Sequence, residues 1–251
     1  MIAVVIALIP FFLCWGSFLN VVAYRLIHEV SFIRPRSYCP HCRHNLAWYD
    51  LLPVVSWIML KGRCRYCHAP ITFLYPLIEI LTALIMILLV TFVPYHYMFA
   101  YFIFFSALII TIRSDLETML ISRFVSLYLV PLGFLFSALG MLPLSLTESI
   151  LGALIGWSLL YLTDKLFFLI TKKEGLGQGD IDLLTFIGSF VGIYGCWITL
   201  LASSLIGSIL GGMYMIITGS GRMVKIPFGP FLALGALISV LFKSYIFSFI
   251  F

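Results

Sequence analysis

The sequence predicts an all-α polytopic membrane protein with about eight transmembrane helices and one cysteine-rich polar loop after the first of them. Of its 251 residues, 63% are hydrophobic and 10% are charged, far from the usual composition of soluble domains. Apolar runs that approach the 20 or so residues needed to cross a core of roughly 30 Å recur along the chain. A soluble fold could not bury that much apolar surface.

The predicted spans follow one another with short connections after the polar loop. They run approximately from Ile2 to Leu26, Phe73 to Phe92, Tyr97 to Ile112, Phe124 to Met141, Ser149 to Ile170, Ile181 to Val191, Cys196 to Thr218 and Gly229 to Ile250. The first segment lacks a basic n-region and a small-residue cleavage site, so we expect a membrane anchor and not a removed signal peptide. Pairs of glycines four residues apart predict close helix packing in three places, at Gly152/Gly156, Gly188/Gly192 and Gly207/Gly211.

The 15 Lys and Arg residues predict the orientation, because short cytoplasmic loops collect them. Seven precede helix 2, and others flank alternate later connections: Arg113, Arg123, Lys165, Lys172, Lys173, Arg222 and Lys225. The connections around Pro94, Pro143 and Gly195 carry none. We therefore expect the polar loop on the cytoplasmic side. The net charge of +5 reflects this topology, and we expect no nucleic-acid partner.

The polar loop, residues 27–72, contains two C-x-x-C motifs separated by 21 residues. This spacing predicts a tetrahedral zinc site with four thiolate ligands, Cys39, Cys42, Cys64 and Cys67. Such a site is closed and structural, and it would order a zinc-ribbon-like loop too small for a core of its own. Reduced thiols or a redox pair are the alternatives, although a redox pair needs no second motif and the cytosol disfavours disulfides. His41, His44 and His68 are either substitute ligands or surface residues.

Two aspartates are the catalytic candidates, because ionisable groups near a span are costly to keep there. Asp115 follows the apolar run that ends at Ile112, and Asp180 ends the turn Gly177-Gln178-Gly179-Asp180 before the next run. Gly177 and Gly179 would let an extended peptide approach closely. A pair of carboxylates can share a proton, so that one activates water and the other hydrogen-bonds the scissile carbonyl. Solvated boundary acids are the alternative, as we expect for Glu29, Glu148 and Asp164.

Several motifs, in order and spacing, closely resemble the bacterial type IV prepilin peptidases, the leader peptidases of the GxGD class of membrane aspartyl proteases. Besides the cysteine motifs, they are Gly16 to Val22, Tyr75 to Glu79, Asp115 to Glu117, Glu174 to Asp180 and Pro227 to Pro230. The resemblance covers nearly the whole chain. It implies that Asp115 and Asp180 are the catalytic pair and that the substrates are prepilins or pseudopilins of pili or type II secretion systems.

The resemblance also implies a place and a second activity. The enzyme would lie in the bacterial inner membrane and cut between a short basic leader and an apolar helix at the cytoplasmic border. Many family members then methylate the new N-terminus with S-adenosylmethionine, and we expect that activity here, although no glycine-rich nucleotide loop identifies a site for the methyl donor. The domains would be the first helix, 1–26, the zinc loop, 27–72, and the peptidase core, 73–251.

A few positions depart from the family pattern as we know it. Ser122 replaces a common proline, Asp182 replaces a usual lysine, and Asp50-Leu51 lacks an asparagine that bears on methyl transfer. Glu79 could serve methyl transfer, the zinc loop, or only the helix dipole.

Two other classes of function compete with the peptidase. A non-enzymatic assembly factor for a pilus or secretion system would explain the zinc loop and the charges, but not the glycine turn paired with Asp115. A transporter would place its acids near the bilayer midplane and not at its edge.

Overall fold

The computed structural model describes residues 2–31, 36–172, 175–219 and 226–250, with side chains for all of these except 2–4 and 243–250. Lys173, Glu174, Arg222 and Lys225, which our charge and motif arguments use, lie outside the described residues. The helices are α1 (Ile2–Ile27), α2 (Val55–Met59), α3 (Leu74–Phe92), α4 (Met98–Thr118), α5 (Val130–Ala138), α6 (Leu146–Thr171), α7 (Gln178–Thr218) and α8 (Gly229–Ile250). Over the described ranges the only β pairing is two isolated bridges.

The prediction of a helical membrane protein is confirmed. Five helices are long and apolar enough to cross a bilayer, namely α1, α3, α4 with its preceding turn, α6 and α7, and two shorter apolar helices lie at Leu127–Ala138 and Gly229–Phe242. The count of eight spans stays a prediction. The chain divides into two compact units, Met1–Phe92 and Val93–Phe251.

In the first unit α1 packs on α3 through a small residue and a buried amide. A Cβ added to Gly16 would lie 2.9 Å from the Cα of Glu79, so only glycine lets the two helices approach this closely. One turn further on, the buried side chain of Asn20 donates a hydrogen bond of 3.1 Å to the carbonyl oxygen of Tyr75. These contacts fix the start of α3 against α1.

In the second unit α6 and α7 meet at glycines, as their spacing predicted. A Cβ on Gly152 would overlap the carbonyl oxygen of Gly188, and one on Gly188 would overlap that of Gly152. Phe104 of α4 stacks on Phe190 of α7, with the ring centroids 4.7 Å apart. Close backbone approach and aromatic packing together hold α4, α6 and α7.

Helix α7 is interrupted at Gly192, whose φ of 73° and ψ of −171° are closed to residues with a side chain. A Cβ on Gly156 would lie 2.5 Å from the Leu184 carbonyl oxygen and 3.3 Å from the Cys196 sulfur. Because about 12 residues of straight helix span roughly 18 Å, the two halves of α7 must fold back on each other. The separate sixth and seventh segments that the sequence predicted are these two halves.

Candidate active site and candidate metal centre

Asp115 lies within the last turns of α4, beyond the end at Ile112 that we predicted. The helix continues to Thr118 and stops at Met119, which adopts a left-handed conformation and donates its N–H to the Asp115 carbonyl oxygen at 2.9 Å. The Asp115 side chain is buried and its Oδ2 accepts a hydrogen bond of 2.8 Å from the backbone N–H of Gly229. The first residue of α8 therefore orients this carboxylate.

Asp180 lies in the first turn of α7, after the N-cap residue Gly177. Its backbone N–H donates to the Gly177 carbonyl oxygen at 3.0 Å, and its carboxylate is close enough to that of Asp115 for the two to interact electrostatically. Ile121 lies beside both glycine-containing segments: a Cβ on Gly179 would be 2.8 Å from the Ile121 Cβ, and one on Gly229 would be 3.4 Å from its Cδ1. The structure thus brings together two acids that are 65 positions apart in the chain.

Asp182 connects the glycine turn to the segment that follows α4. Its buried carboxylate accepts a hydrogen bond from Arg123 at 3.0 Å and another from the Gln178 side-chain amide at 3.1 Å. Its side chain is 4% exposed, whereas that of Arg123 is 58% exposed. Where the family resemblance led us to expect a lysine, this chain has an aspartate with an arginine against it, so a positive charge still lies beside the turn.

Asp164 corrects one of our expectations, because it is not simply solvated. It lies in α6, and its Oδ1 accepts the backbone N–H groups of Gly175 at 3.1 Å and Leu176 at 3.0 Å. Those residues lead directly into the Gly177 turn, so Asp164 positions the approach to Asp180. No sequence signal marked this role, since the acceptor and its donors belong to different elements.

Arg113 also differs from our expectation of a residue flanking a connection. It lies inside α4, its side chain is 1% exposed, and its guanidinium pairs with Glu117 one turn later.

Gly229 has a role that the sequence analysis missed. The sequence places it in the motif Pro227 to Pro230 but assigns it no function of its own. Its hydrogen bond to Asp115 depends on tertiary structure and leaves no local pattern.

The four cysteines of the polar loop form a compact cluster that could hold a metal ion. All four sulfurs lie within 4.8 Å of one another, and those of Cys39 and Cys67 are 3.8 Å apart. Zn–S bonds of about 2.3 Å in a tetrahedron place sulfurs roughly 3.8 Å apart, so the cluster fits zinc. Within the described residues no histidine joins the group, and the His44 ring instead packs against Tyr66 at a tilt of 33°, with ring centroids 3.7 Å apart.

The two cysteine motifs have the same backbone fold. In each, the first cysteine's N–H bonds the carbonyl oxygen five residues on, and its own carbonyl accepts the N–H four residues on. That fourth position, Arg43 or His68, has positive φ. Burial disfavours the thiolate of Cys39, but backbone hydrogen bonds from Cys42 and His41, together with side-chain hydrogen bonds from Cys64 and Cys42, lower its pKa to about 7. The matching backbone folds bring the sulfurs of the two motifs to one point.

Glu79 serves the cysteine-rich loop, one of the roles left open above. It is buried in α3, and it accepts hydrogen bonds from the Val54 N–H at 2.8 Å and from Ser17 of α1. Val54 has φ of 62°, a rare conformation for a β-branched residue. The carboxylate therefore ties a strained point of the loop to both helices of the first unit.

Comparison with known proteins agrees with this arrangement. Residues 11–93 match the Bacterial Peptidase A24 N-terminal domain, and residues 102–212 match the Type IV leader peptidase family. A prepilin leader peptidase/N-methyltransferase of Aeromonas hydrophila is 36% identical over 92% of this chain and 88% of the relative. One of the same name from Pseudomonas aeruginosa is 32% identical over the same shares. A type 4 prepilin-like proteins leader peptide-processing enzyme of Escherichia coli is 33% identical over 91% of this chain and 90% of the relative. No solved structure matches the chain.

The helices and the neighbouring carboxylates define a helical membrane protein with paired acids at the ends of two apolar helices. The relatives and the domain matches make the identification more specific: the chain belongs to the Type IV leader peptidase family and is an enzyme, a peptidase.

Proposed function

We propose that the protein removes the short basic leader from type IV prepilins or pseudopilins, with Asp115 and Asp180 as the catalytic pair. The observation that carries this proposal is the juxtaposition of the two carboxylates, one held by the Gly229 N–H and the other in the first turn of α7. The names of the relatives support the substrate class.

Such a pair hydrolyses a peptide without a covalent intermediate. The charged carboxylate takes a proton from water as the water oxygen attacks the scissile carbonyl carbon, and the protonated carboxyl hydrogen-bonds the carbonyl oxygen. Collapse of the tetrahedral intermediate breaks the C–N bond, and the departing nitrogen takes up a proton. Because two neighbouring carboxylates exchange protons as a pair, we treat Asp115 and Asp180 as a unit and do not assign the base to one residue.

Cleavage would occur at the cytoplasmic border of the bacterial inner membrane. The basic residues that cluster in alternate connections support this orientation, since a basic leader stays on the cytoplasmic side by the same rule. The leader junction of a substrate that spans the membrane would then lie at the ends of α4 and α7, where Asp115 and Asp180 are.

The relatives' names support a second step, methylation of the new N-terminal amine. In that reaction the amine nitrogen attacks the methyl group of S-adenosylmethionine, S-adenosylhomocysteine leaves, and the amine loses a proton. We further propose that zinc binds Cys39, Cys42, Cys64 and Cys67 as a structural ion, which the sulfur spacing supports. Bound zinc would cross-link the two cysteine motifs.

The test is cleavage of a membrane-embedded prepilin followed by mass spectrometry, with and without S-adenosylmethionine. Asp115→Asn and Asp180→Asn should each abolish loss of the leader, and wild type should add a methyl mass only when the cofactor is present. Glu148→Gln is a matched control, because this acid caps α6 near Gly192, about 18 Å of helix from Asp180.

Full cleavage by either aspartate variant, with zinc content and helical circular dichroism unchanged, would overturn the catalytic pair. If both variants also support pilus assembly in cells, the protein acts as an assembly factor instead. Loss of methylation with retained cleavage would separate the two activities.

A further inference from the structure

The cysteine-rich loop presents an exposed apolar surface, which we call its apolar face. The members lie on the turn Trp48–Leu51, directly after it and on α2; they are Trp48, Leu51, Leu52, Val55, Ile58 and Met59. Trp48 and Met59 are each 77% exposed. The one charged residue of this stretch, Asp50, turns away, because its carboxylate is 3% exposed and accepts a hydrogen bond of 2.7 Å from Arg65. No side chain of the apolar face therefore carries a charge.

The opposite side of α2 is attached to the start of α3. The Trp57 indole N–H donates to the Ile71 carbonyl oxygen at 3.1 Å, and its ring lies 5.7 Å from that of Phe73. Directly before α2, the Val54 N–H binds the Glu79 carboxylate at 2.8 Å. These contacts fix the height of α2 relative to α3.

The length of α3 sets that height in the bilayer. Its 19 residues span roughly 28 Å, about the thickness of the hydrocarbon core, so its first residue must lie at the core's boundary. Glu79 is five residues into the helix, roughly 7 Å along its axis. Val54, and with it the start of α2, is thus level with the first turns of a membrane-spanning helix and not out in the cytosol.

We infer that the apolar face rests in the boundary between headgroups and acyl chains of the same bilayer that α1 and α3 cross. The chemistry suits this position, because a tryptophan and aliphatic side chains match the interfacial region and its apolar edge. The exposed basic residues Lys61 and Arg63 follow α2 and can reach lipid phosphates. The loop would then be held against the membrane surface and not extend freely into water.

The experiment places a genetically encoded fluorescent amino acid at Met59, or at Trp48 in a second protein, in full-length zinc-loaded enzyme. Each nanodisc holds one copy, and the lipids are either ordinary or brominated near the top of the acyl chain. His41 is the matched control site, because it is exposed in the same loop on the first cysteine motif. Zinc content confirms that each labelled loop is folded.

Brominated lipid should quench the probes at positions 59 and 48 several-fold more than the probe at position 41, with no substrate present. Equal, weak quenching at all three positions would overturn the inference. Weak quenching at all three positions without prepilin, followed by a blue shift of the probes at positions 59 and 48 when a prepilin is added, would instead make the face a substrate surface and equally overturn the inference. Cleavage is not read out, so the result does not depend on the proposed function.

Discussion

The link between Arg123 and Asp182 provides the sharpest test of how the structure positions the glycine turn. Within the described part of the chain, Arg123→Gln removes the cation and leaves the buried Asp182 carboxylate with the Gln178 amide as its remaining side-chain hydrogen-bond donor. Asp182→Asn removes the buried charge and leaves an arginine that is already 58% exposed. The two changes break the same ion pair but should not cost the same.

The asymmetry follows from burial. A polar group left buried without its partner costs about 1–3 kcal/mol and a charged group costs more, whereas an exposed ion pair contributes about 0–1 kcal/mol. Because the arginine side of this pair is half in water, we expect about 1–2 kcal/mol for Arg123→Gln and under about 1 kcal/mol for Asp182→Asn. The double variant should resemble Asp182→Asn, since no unpaired charge remains.

The assay is kcat/KM for prepilin cleavage, measured well below the unfolding temperature, together with the midpoint of thermal unfolding. If the whole cost falls on the transition state, Arg123→Gln slows cleavage about 5- to 30-fold. Lysine at position 123 should restore part of the rate, because it keeps the charge but loses the planar guanidinium.

Equal losses for the two single variants, or a double variant that loses the sum of both, would refute this reasoning. A lowered unfolding midpoint with unchanged kcat/KM would show that the pair stabilises the fold without positioning the turn.

Three further outcomes follow from the same structure. Gly229→Ala should reduce cleavage by about 100-fold, because the new Cβ would lie 2.8 Å from the Asp115 Oδ2 and displace it. The control Gly212→Ala meets no atom within 4 Å and should cleave normally, so similar rates for the two variants would contradict the role of Gly229. Asp164→Ala should slow cleavage, because it removes the hydrogen bonds that Asp164 accepts from the Gly175 and Leu176 N–H groups just before the glycine turn, and Asp164→Asn should recover part of the rate. An unchanged cleavage rate for Asp164→Ala would exclude a role of Asp164 in positioning the turn. Purified wild type should contain about one zinc per chain by elemental mass spectrometry, and the protein with both Cys39→Ser and Cys64→Ser should contain none. Metal-free wild-type protein with a folded loop would exclude the zinc site.

The departures from the family pattern acquire a physical meaning in this structure. Asp182 stands where we expected a lysine, but Arg123 supplies the positive charge from another segment. Asp50 stands near an expected asparagine, and its carboxylate pairs with Arg65 on the second cysteine motif while Oδ2 accepts the Ala47 N–H at 3.4 Å. Both acids therefore take structural partners within their own unit.

By itself the sequence determined the features that depend on composition and short spacing. Apolar runs indicated membrane helices because the hydrocarbon core excludes unpaired backbone groups, and the two C-x-x-C motifs indicated the metal cluster because four thiolates at that spacing match one tetrahedral ion. Glycines four residues apart indicated the contact of Gly152 with Gly188, since a close helix crossing requires small residues one turn apart.

Only the tertiary structure decided which distant groups meet. The hydrogen bond from Gly229 to Asp115, the ion pair of Arg123 with Asp182 and the bonds from Asp164 to the loop before α7 join segments that no local pattern relates. The reversal at Gly192 likewise depends on a backbone conformation that the sequence permits but does not specify. The physical reason is that these contacts depend on how the helices pack, and packing is a property of the whole chain.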